Sequence, residues 1–125
     1  MPELPEVETI RKGLAYTLPG QIVTDVTVLF NKSFDVELER ITDFVVGTQV
    51  AVVRRRGKVL IIDLDNKQSL LVHLKMTGQL VLAQALGKRF AGGHPTESLK
   101  GELPDSSTRV IFTFDSGDKL FYNGF

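Results

Sequence analysis

The first residues, Met1-Pro2-Glu3-Leu4-Pro5-Glu6, carry the most distinctive chemistry in the chain. Removal of Met1 would leave Pro2 as a free secondary amine, with the carboxylates of Glu3 and Glu6 close behind it. An α-amino group titrates near ~8, whereas a lysine near ~10.4 stays almost wholly protonated at neutral pH. A secondary amine condenses with an aldehyde or a sugar C1 to form a cationic iminium. With an acid/base beside it, the arrangement suits covalent amine catalysis. With Met1 attached, the same nitrogen is an amide and has no such reactivity.

These residues also suit the start of a helix. Pro5 fits a first turn, where its missing N–H costs nothing. Glu6 and Glu8 complement the helix dipole, and Glu8 with Lys12 has the i,i+4 spacing of an ion pair. That accounts for Pro5, Glu6 and Glu8 but not for Pro2-Glu3 in front of them.

Two further stretches have the residue types of a binding surface. Arg54-Arg55-Arg56-Gly57-Lys58 reads as a turn between two strands. Its charges suit either a solvated sheet edge or contacts to phosphates, which add affinity and salt dependence rather than base specificity. Alternate side chains in the run are expected on opposite faces. In His73-Leu74-Lys75-Met76-Thr77-Gly78, His73 suits a hydrogen-bonded structural site, Met76 suits core filling, and Gly78 suits a turn. No Ser/His/Asp arrangement is supported, and His73, His94 and the scattered carboxylates lack metal-ligand spacing. His94 lies in a loop sequence without an assigned role.

The elements that must position these groups follow from periodicity. The chain has 125 residues, zero formal net charge and a 42% hydrophobic composition, which suits one globular domain rather than a wholly basic nucleic-acid binder. It has no cysteine, so disulfides and thiolate metal sites are excluded within it. No run approaches the ~18 apolar residues of a membrane helix, and a cationic, apolar signal peptide is missing. A cytoplasmic setting without membrane association is expected.

Val7, Ile10 and Leu14 predict a helix from about Pro5 to Tyr16, stopped by Leu18-Pro19-Gly20. Ile22, Val26 and Val28 predict a strand over 21–28. Asp35 is placed to cap a short second helix with Leu38, Ile41 and Val45 inward, ended by Gly47. Strands are predicted over 50–54, 59–64, 69–74, 78–82, 109–114 and 119–122, with Asp65-Asn66-Lys67 and Ser116-Gly117-Asp118 as turns. Residues 86–107, rich in Gly, Pro and Ser, read as an unusually long functional or mobile loop. The fold class is α+β and mainly β: an antiparallel β-sandwich of two sheets, flanked by an N-terminal helix and a second short helix.

Pro2-Glu3-Leu4-Pro5-Glu6-Val7-Glu8-Thr9, with Arg55-Arg56-Gly57-Lys58, His73 to Gly78 and, weakly, Leu120 to Asn123, resembles the formamidopyrimidine-DNA glycosylases. Leu4 favours this branch over the endonuclease VIII branch, which has glycine there. The resemblance implies the same helix-flanked sandwich and a bifunctional glycosylase/abasic-site lyase for oxidised purines, 8-oxoguanine and formamidopyrimidines, in base-excision repair. By the same resemblance Pro2 is the Schiff-base nucleophile, Glu3 moves protons at the sugar, and Lys58 is catalytic near the lesion phosphate. Glu6 lies at the lesion pocket, His73, Arg55 and Arg56 bind DNA, and Met76 plugs the gap left by a flipped nucleotide. Lys75 stands where the family commonly has glycine, and its role is unassigned.

The resemblance covers residues 1–125 as an N-terminal catalytic domain. Family members continue into a helix–two-turn–helix module and usually a four-cysteine zinc finger. Neither is expected here, so no cofactor is expected in this chain. Where the family pattern continues Asn-Asp-Pro-Arg-Arg-Phe, this chain has Asn123-Gly124-Phe125, and Phe125 does not take the family Phe's role. The partner implied is damaged double-stranded DNA, bound by a monomer in a bacterial, nucleoid-associated setting. On this basis the chain alone is expected to bind weakly and to be weakly active or inactive. The alternatives are a non-catalytic DNA-binding or interaction domain, and an endonuclease VIII-like enzyme for oxidised pyrimidines.

Overall fold

The computed structural model describes residues 4–29, 38–74, 78–93, 103–104 and 107–124, without the side chains of 38–41 and 90–93. In chain order the elements are α1 (Leu4–Thr17), β1 (Val23–Val28), α2 (Leu38–Val45), β2 (Val50–Arg56), β3 (Val59–Leu64), β4 (Ser69–His73), β5 (Gln79–Ala83), β6 (Arg89–Gly93), β7 (Thr108–Phe114) and β8 (Lys119–Asn123). They form a five-stranded sheet ordered β1-β7-β8-β5-β6 and a three-stranded sheet ordered β2-β3-β4. Every pairing is antiparallel. The expected helix-flanked, two-sheet α+β architecture is therefore the one observed.

One core joins the layers. The α1 stripe Val7, Ile10 and Leu14, continued by Leu18, is buried against inward residues of both sheets, among them Val53, Leu60, Ile62, Leu80, Leu82, Phe112 and Leu120. α1 contacts β2 and β3 of the small sheet and β6 of the large one. Backbone bonds also tie the connection between α1 and β1 to β2: the Gly20 N–H donates to the Val50 carbonyl at 2.8 Å, and the Val50 N–H to the Gln21 carbonyl at 2.9 Å. At the far end of α1, the Gln21 side chain donates to Asp118 at 3.0 Å and accepts from Ser116 at 2.5 Å.

Two predictions need correction. The stretch 86–107 is not one long loop, because Arg89–Gly93 pairs with β5 from Ala83↔Arg89 to Gln79↔Gly93. A Gly-rich segment with few β-branched residues gives little strand signal. Here pairing to an adjacent strand through a tight turn overrides it. In β1, Val23 and Val26 are buried while Ile22 is exposed, contrary to the predicted alternation. A bulge between Val23 and Asp25 inserts one residue and shifts the face. The predicted Asp35 cap lies outside the described residues, as do the side chains of Leu38 and Ile41, whereas Val45 is buried.

Three hairpins share one closure. Leu64, Gln84 and Phe114 N–H groups donate to the carbonyls of Gln68, Lys88 and Asp118 at 2.9, 2.7 and 3.0 Å. Each encloses three residues, the last at positive φ: Lys67 at 68°, Gly87 at 92° and Gly117 at 94°. Left-handed backbone is costly for a residue with a Cβ. Lys67→Gly is therefore expected to stabilise the fold by about 0.5–1 kcal/mol, net of glycine's greater unfolded-state entropy. Urea denaturation of the two forms measures this.

Candidate active site and nucleic-acid interface

The basic run is the end of one hairpin. Gly57 and Lys58 form a two-residue turn between β2 and β3, closed by the pair Arg56↔Val59. Gly57 has φ 59°, the positive value required at the first position of such a turn. Lys58 is thereby carried at the hairpin tip.

A bulge sorts the three arginines. Val50 lies opposite Leu64 but Val52 lies opposite Asp63, so one extra residue sits in β2. Val50 and Val53 consequently both face the core. Past the bulge, Val53 lies opposite Ile62 and Arg55 opposite Leu60, two core residues. Arg55 therefore belongs to the inward face, which meets α1. Arg54 and Arg56 belong to the outward face.

Their partners follow from that parity. Arg54 Nε donates to Asp63 Oδ2 at 2.7 Å, and Asp63 also accepts from Ser69 at 2.6 Å. These bonds hold the Asp63 carboxyl below its ordinary value. Arg55 Nε donates to Glu8 Oε1 on α1 at 2.8 Å, and its Nη1 to the Gly57 carbonyl at 3.1 Å. Glu8 also accepts from Arg11 Nε at 2.8 Å and Nη2 at 2.7 Å. The hydrogen bonds from Arg11, then the one from Arg55, lower the Glu8 pKa from 4.5 to about 2. The sequence suggested a Glu8–Lys12 pair. Glu8 instead turns to two guanidinium forks, whose planar donors match a carboxylate better than an ammonium does.

On the outward face, Arg56 lies opposite Val59, and Val59 opposite His73. Arg56 and His73 thus flank one row, beside the Lys58 turn. β4 ends there, and the chain leaves through Leu74 and returns at Gly78. The Gly78 N–H donates to the Leu74 carbonyl at 2.7 Å. A Cβ at Gly78 would overlap that same carbonyl, so only glycine closes the turn without a shift. Just beyond, Thr108 donates to Asn123 at 2.8 Å and Asn123 donates to Gln79 at 2.9 Å, all three buried. This network pins the start of β5, the start of β7 and the end of β8, just after Gly78. Sequence reading missed it, since single Gln, Asn and Thr residues far apart in the chain give no pattern.

Of the predicted site residues, the structure gathers Lys58, Arg56 and His73 at one end of the small sheet. Arg55 lies beneath them, tied to α1. Glu6 is exposed in the first turn of α1. Pro2, Glu3, Met76 and Lys75 lie outside the described residues. Among the described residues, no three His, Asp or Glu side chains are placed to hold a metal, and no helix is long and apolar enough to cross a membrane.

The family model for the formamidopyrimidine-DNA glycosylase N-terminal domain matches residues 1–125. The chain belongs to this family. A formamidopyrimidine-DNA glycosylase of Carboxydothermus hydrogenoformans is 39% identical over 98% of the chain, which spans 41% of that relative's length. Another, from Pelotomaculum thermopropionicum, is also 39% identical, with 39% of its length spanned. Among solved structures, a Lactococcus lactis Fpg variant complexed with Fapy-dG-containing DNA matches with a TM-score of 0.79 at 25% identity. That match covers 98% of this chain and 40% of the other. The two-sheet fold is thus that of the formamidopyrimidine-DNA glycosylase N-terminal domain.

Two consequences are measurable on the chain itself. Gly78→Ala is expected to cost about 1–3 kcal/mol through overlap with the Leu74 carbonyl, read by denaturant unfolding. Because the folded Glu8 pKa is depressed, its contribution to stability is fully present above pH 4.5 and is lost as pH falls towards 2. Glu8→Gln is expected to lower stability slightly above pH 4.5 and to flatten the stability–pH curve between pH 4.5 and 2, leaving its slope elsewhere unchanged, as measured by unfolding at a series of pH values.

Proposed function

We propose that this chain is the nucleophile-bearing N-terminal domain of a bifunctional DNA glycosylase/abasic-site lyase acting on oxidised purines, 8-oxoguanine and formamidopyrimidines. The observation that carries the reading is the family match beginning at the Pro2-Glu3 terminus, together with the clustering of Lys58, Arg56 and His73 at one sheet end. In this reading the Pro2 nitrogen attacks C1′ of the damaged nucleoside. The C1′–base bond breaks, and the base leaves with its electron pair and a proton. The nitrogen lone pair then forms the C1′=N bond of the iminium as the C1′–O4′ bond breaks, and O4′ takes a proton from Glu3.

The positive iminium acidifies the C2′ proton, and Glu3 serves as the group that moves protons at the sugar. Loss of that proton expels the 3′ phosphate, and a second elimination expels the 5′ phosphate. Lys58 and Arg56 supply cations, and His73 a hydrogen-bonding side chain, for the phosphates beside the lesion. Glu6 borders the lesion, and Met76 occupies the space of the flipped nucleotide. Damaged double-stranded DNA is the partner, the working unit is a monomer, and the site is bacterial, cytoplasmic and nucleoid-associated. The chemistry in these residues calls on no cofactor.

Borohydride reduction tests the central step. It makes an iminium permanent, so adduct accumulates even where binding is weak. The chain lacking Met1, verified by intact mass, is incubated with abasic-site duplex and borohydride. A covalent adduct mapping to Pro2 is expected, and none with the Met1-retaining form. Salt-sensitive DNA binding without any adduct would replace this reading with a non-catalytic DNA-binding domain.

A further inference from the structure

We infer that Glu8 and Arg55 form a positioning cross-link that fixes the Lys58 turn against the helix leading from the catalytic terminus, so that Arg55 does not serve as a phosphate contact. The inference rests on the proposed function and assigns Arg55 a role different from that of its neighbours. Three observations carry it. First, the bulge at the start of β2 puts Arg55 on the inward face, opposite the fully buried Leu60. Second, its guanidinium is engaged at both ends, by Glu8 through Nε and by the Gly57 carbonyl through Nη1. That carbonyl belongs to the peptide joining Gly57 to Lys58, so one planar group fixes both the helix and the turn. Third, Arg11 holds Glu8 from the other side, and the Glu8 and Arg55 side chains are only 29% and 30% exposed.

A phosphate contact would require Arg55 to give up a charge-assisted bond and leave Glu8 facing DNA with one partner fewer. Arg56, one residue on, needs no such exchange of faces. A partly exposed ion pair adds little stability, so the cross-link acts by geometry. It spans 47 positions of sequence and joins the helix that follows the amine in the chain to the turn bearing Lys58. Misplacing a catalytic group by about 1 Å can cost ~100-fold in rate.

The test is a variant cycle on the chain lacking Met1, verified by intact mass, using Glu8→Gln, Arg55→Gln, the double variant and Arg55→Lys. Far-UV circular dichroism confirms folding of each. Two quantities are read on abasic-site duplex: the single-turnover borohydride-trapping rate at saturating DNA, and the salt dependence of binding. The cross-link predicts that Glu8→Gln and Arg55→Gln each slow trapping by ~10–100-fold with similar half-saturation. The double variant should be no slower than either single, because both remove one shared interaction. The salt slope should stay unchanged, and Arg55→Lys, which keeps the charge but loses the fork, should rescue poorly.

A phosphate-contacting Arg55 gives the opposite pattern and overturns the inference. Arg55→Gln would then lower the salt slope by about 1 without slowing trapping at saturation, and Arg55→Lys would rescue it. Glu8→Gln would release Arg55 and strengthen binding. If the chain lacking Met1 and carrying no substitution forms no adduct, the proposed function fails, and the salt slope still decides what Arg55 does.

Discussion

Burial of one face of α1 is the constraint on which the remaining geometry depends. Val7, Ile10, Leu14 and Leu18 have almost no exposure, and their neighbours come from both sheets. The helix joins the two sheets in one core, since α1 touches β2 and β3 on one side and β6 on the other. Each large apolar side chain contributes roughly 1.5–3 kcal/mol on burial, whereas an exposed ion pair contributes ~0–1 kcal/mol. The stripe therefore decides where α1 lies. Polar contacts made along it, such as Glu8 with Arg55, adjust its rotation and slide.

With the helix placed, the functional end of the molecule is assembled from short-range devices. A two-residue turn presents Lys58. Antiparallel register sets Arg56 and His73 on either side of Val59. The Leu74–Gly78 bond brings Gly78 so close to the Leu74 carbonyl that a side chain there would force a shift. Behind it, the buried Thr108–Asn123–Gln79 chain has every side-chain partner supplied. Buried polar groups are costly when unpaired and specify a single arrangement when satisfied. The strand ends beside the site thus have one register available.

Much of this was legible from the residues. The spacing of Val7, Ile10 and Leu14 located α1, and Asp65-Asn66-Lys67 and Gly117 marked their turns because turn chemistry is local. The family likeness lay in contiguous motifs, so it too could be read directly. β6 escaped because Arg89–Gly93 has no intrinsic strand preference, and only its pairing with β5 makes it one. Ile22 was misplaced because a bulge changes the face of every residue after it, and nothing in Val23-Thr24-Asp25 announces a bulge.

The three consecutive arginines show why composition alone leaves a site undetermined. By residue type Arg54, Arg55 and Arg56 are identical, and all three suit phosphate binding. A strand without a bulge, counted from the buried Val50, would turn Arg54 and Arg56 inward and Arg55 outward. The extra residue between Val50 and Val52 reverses that assignment. It sends Arg55 to Glu8, leaves Arg54 to Asp63, and keeps Arg56 on the face shared with His73. One inserted backbone unit thus separates a positioning group from a surface cation, and does so through face parity rather than through any difference in side-chain chemistry.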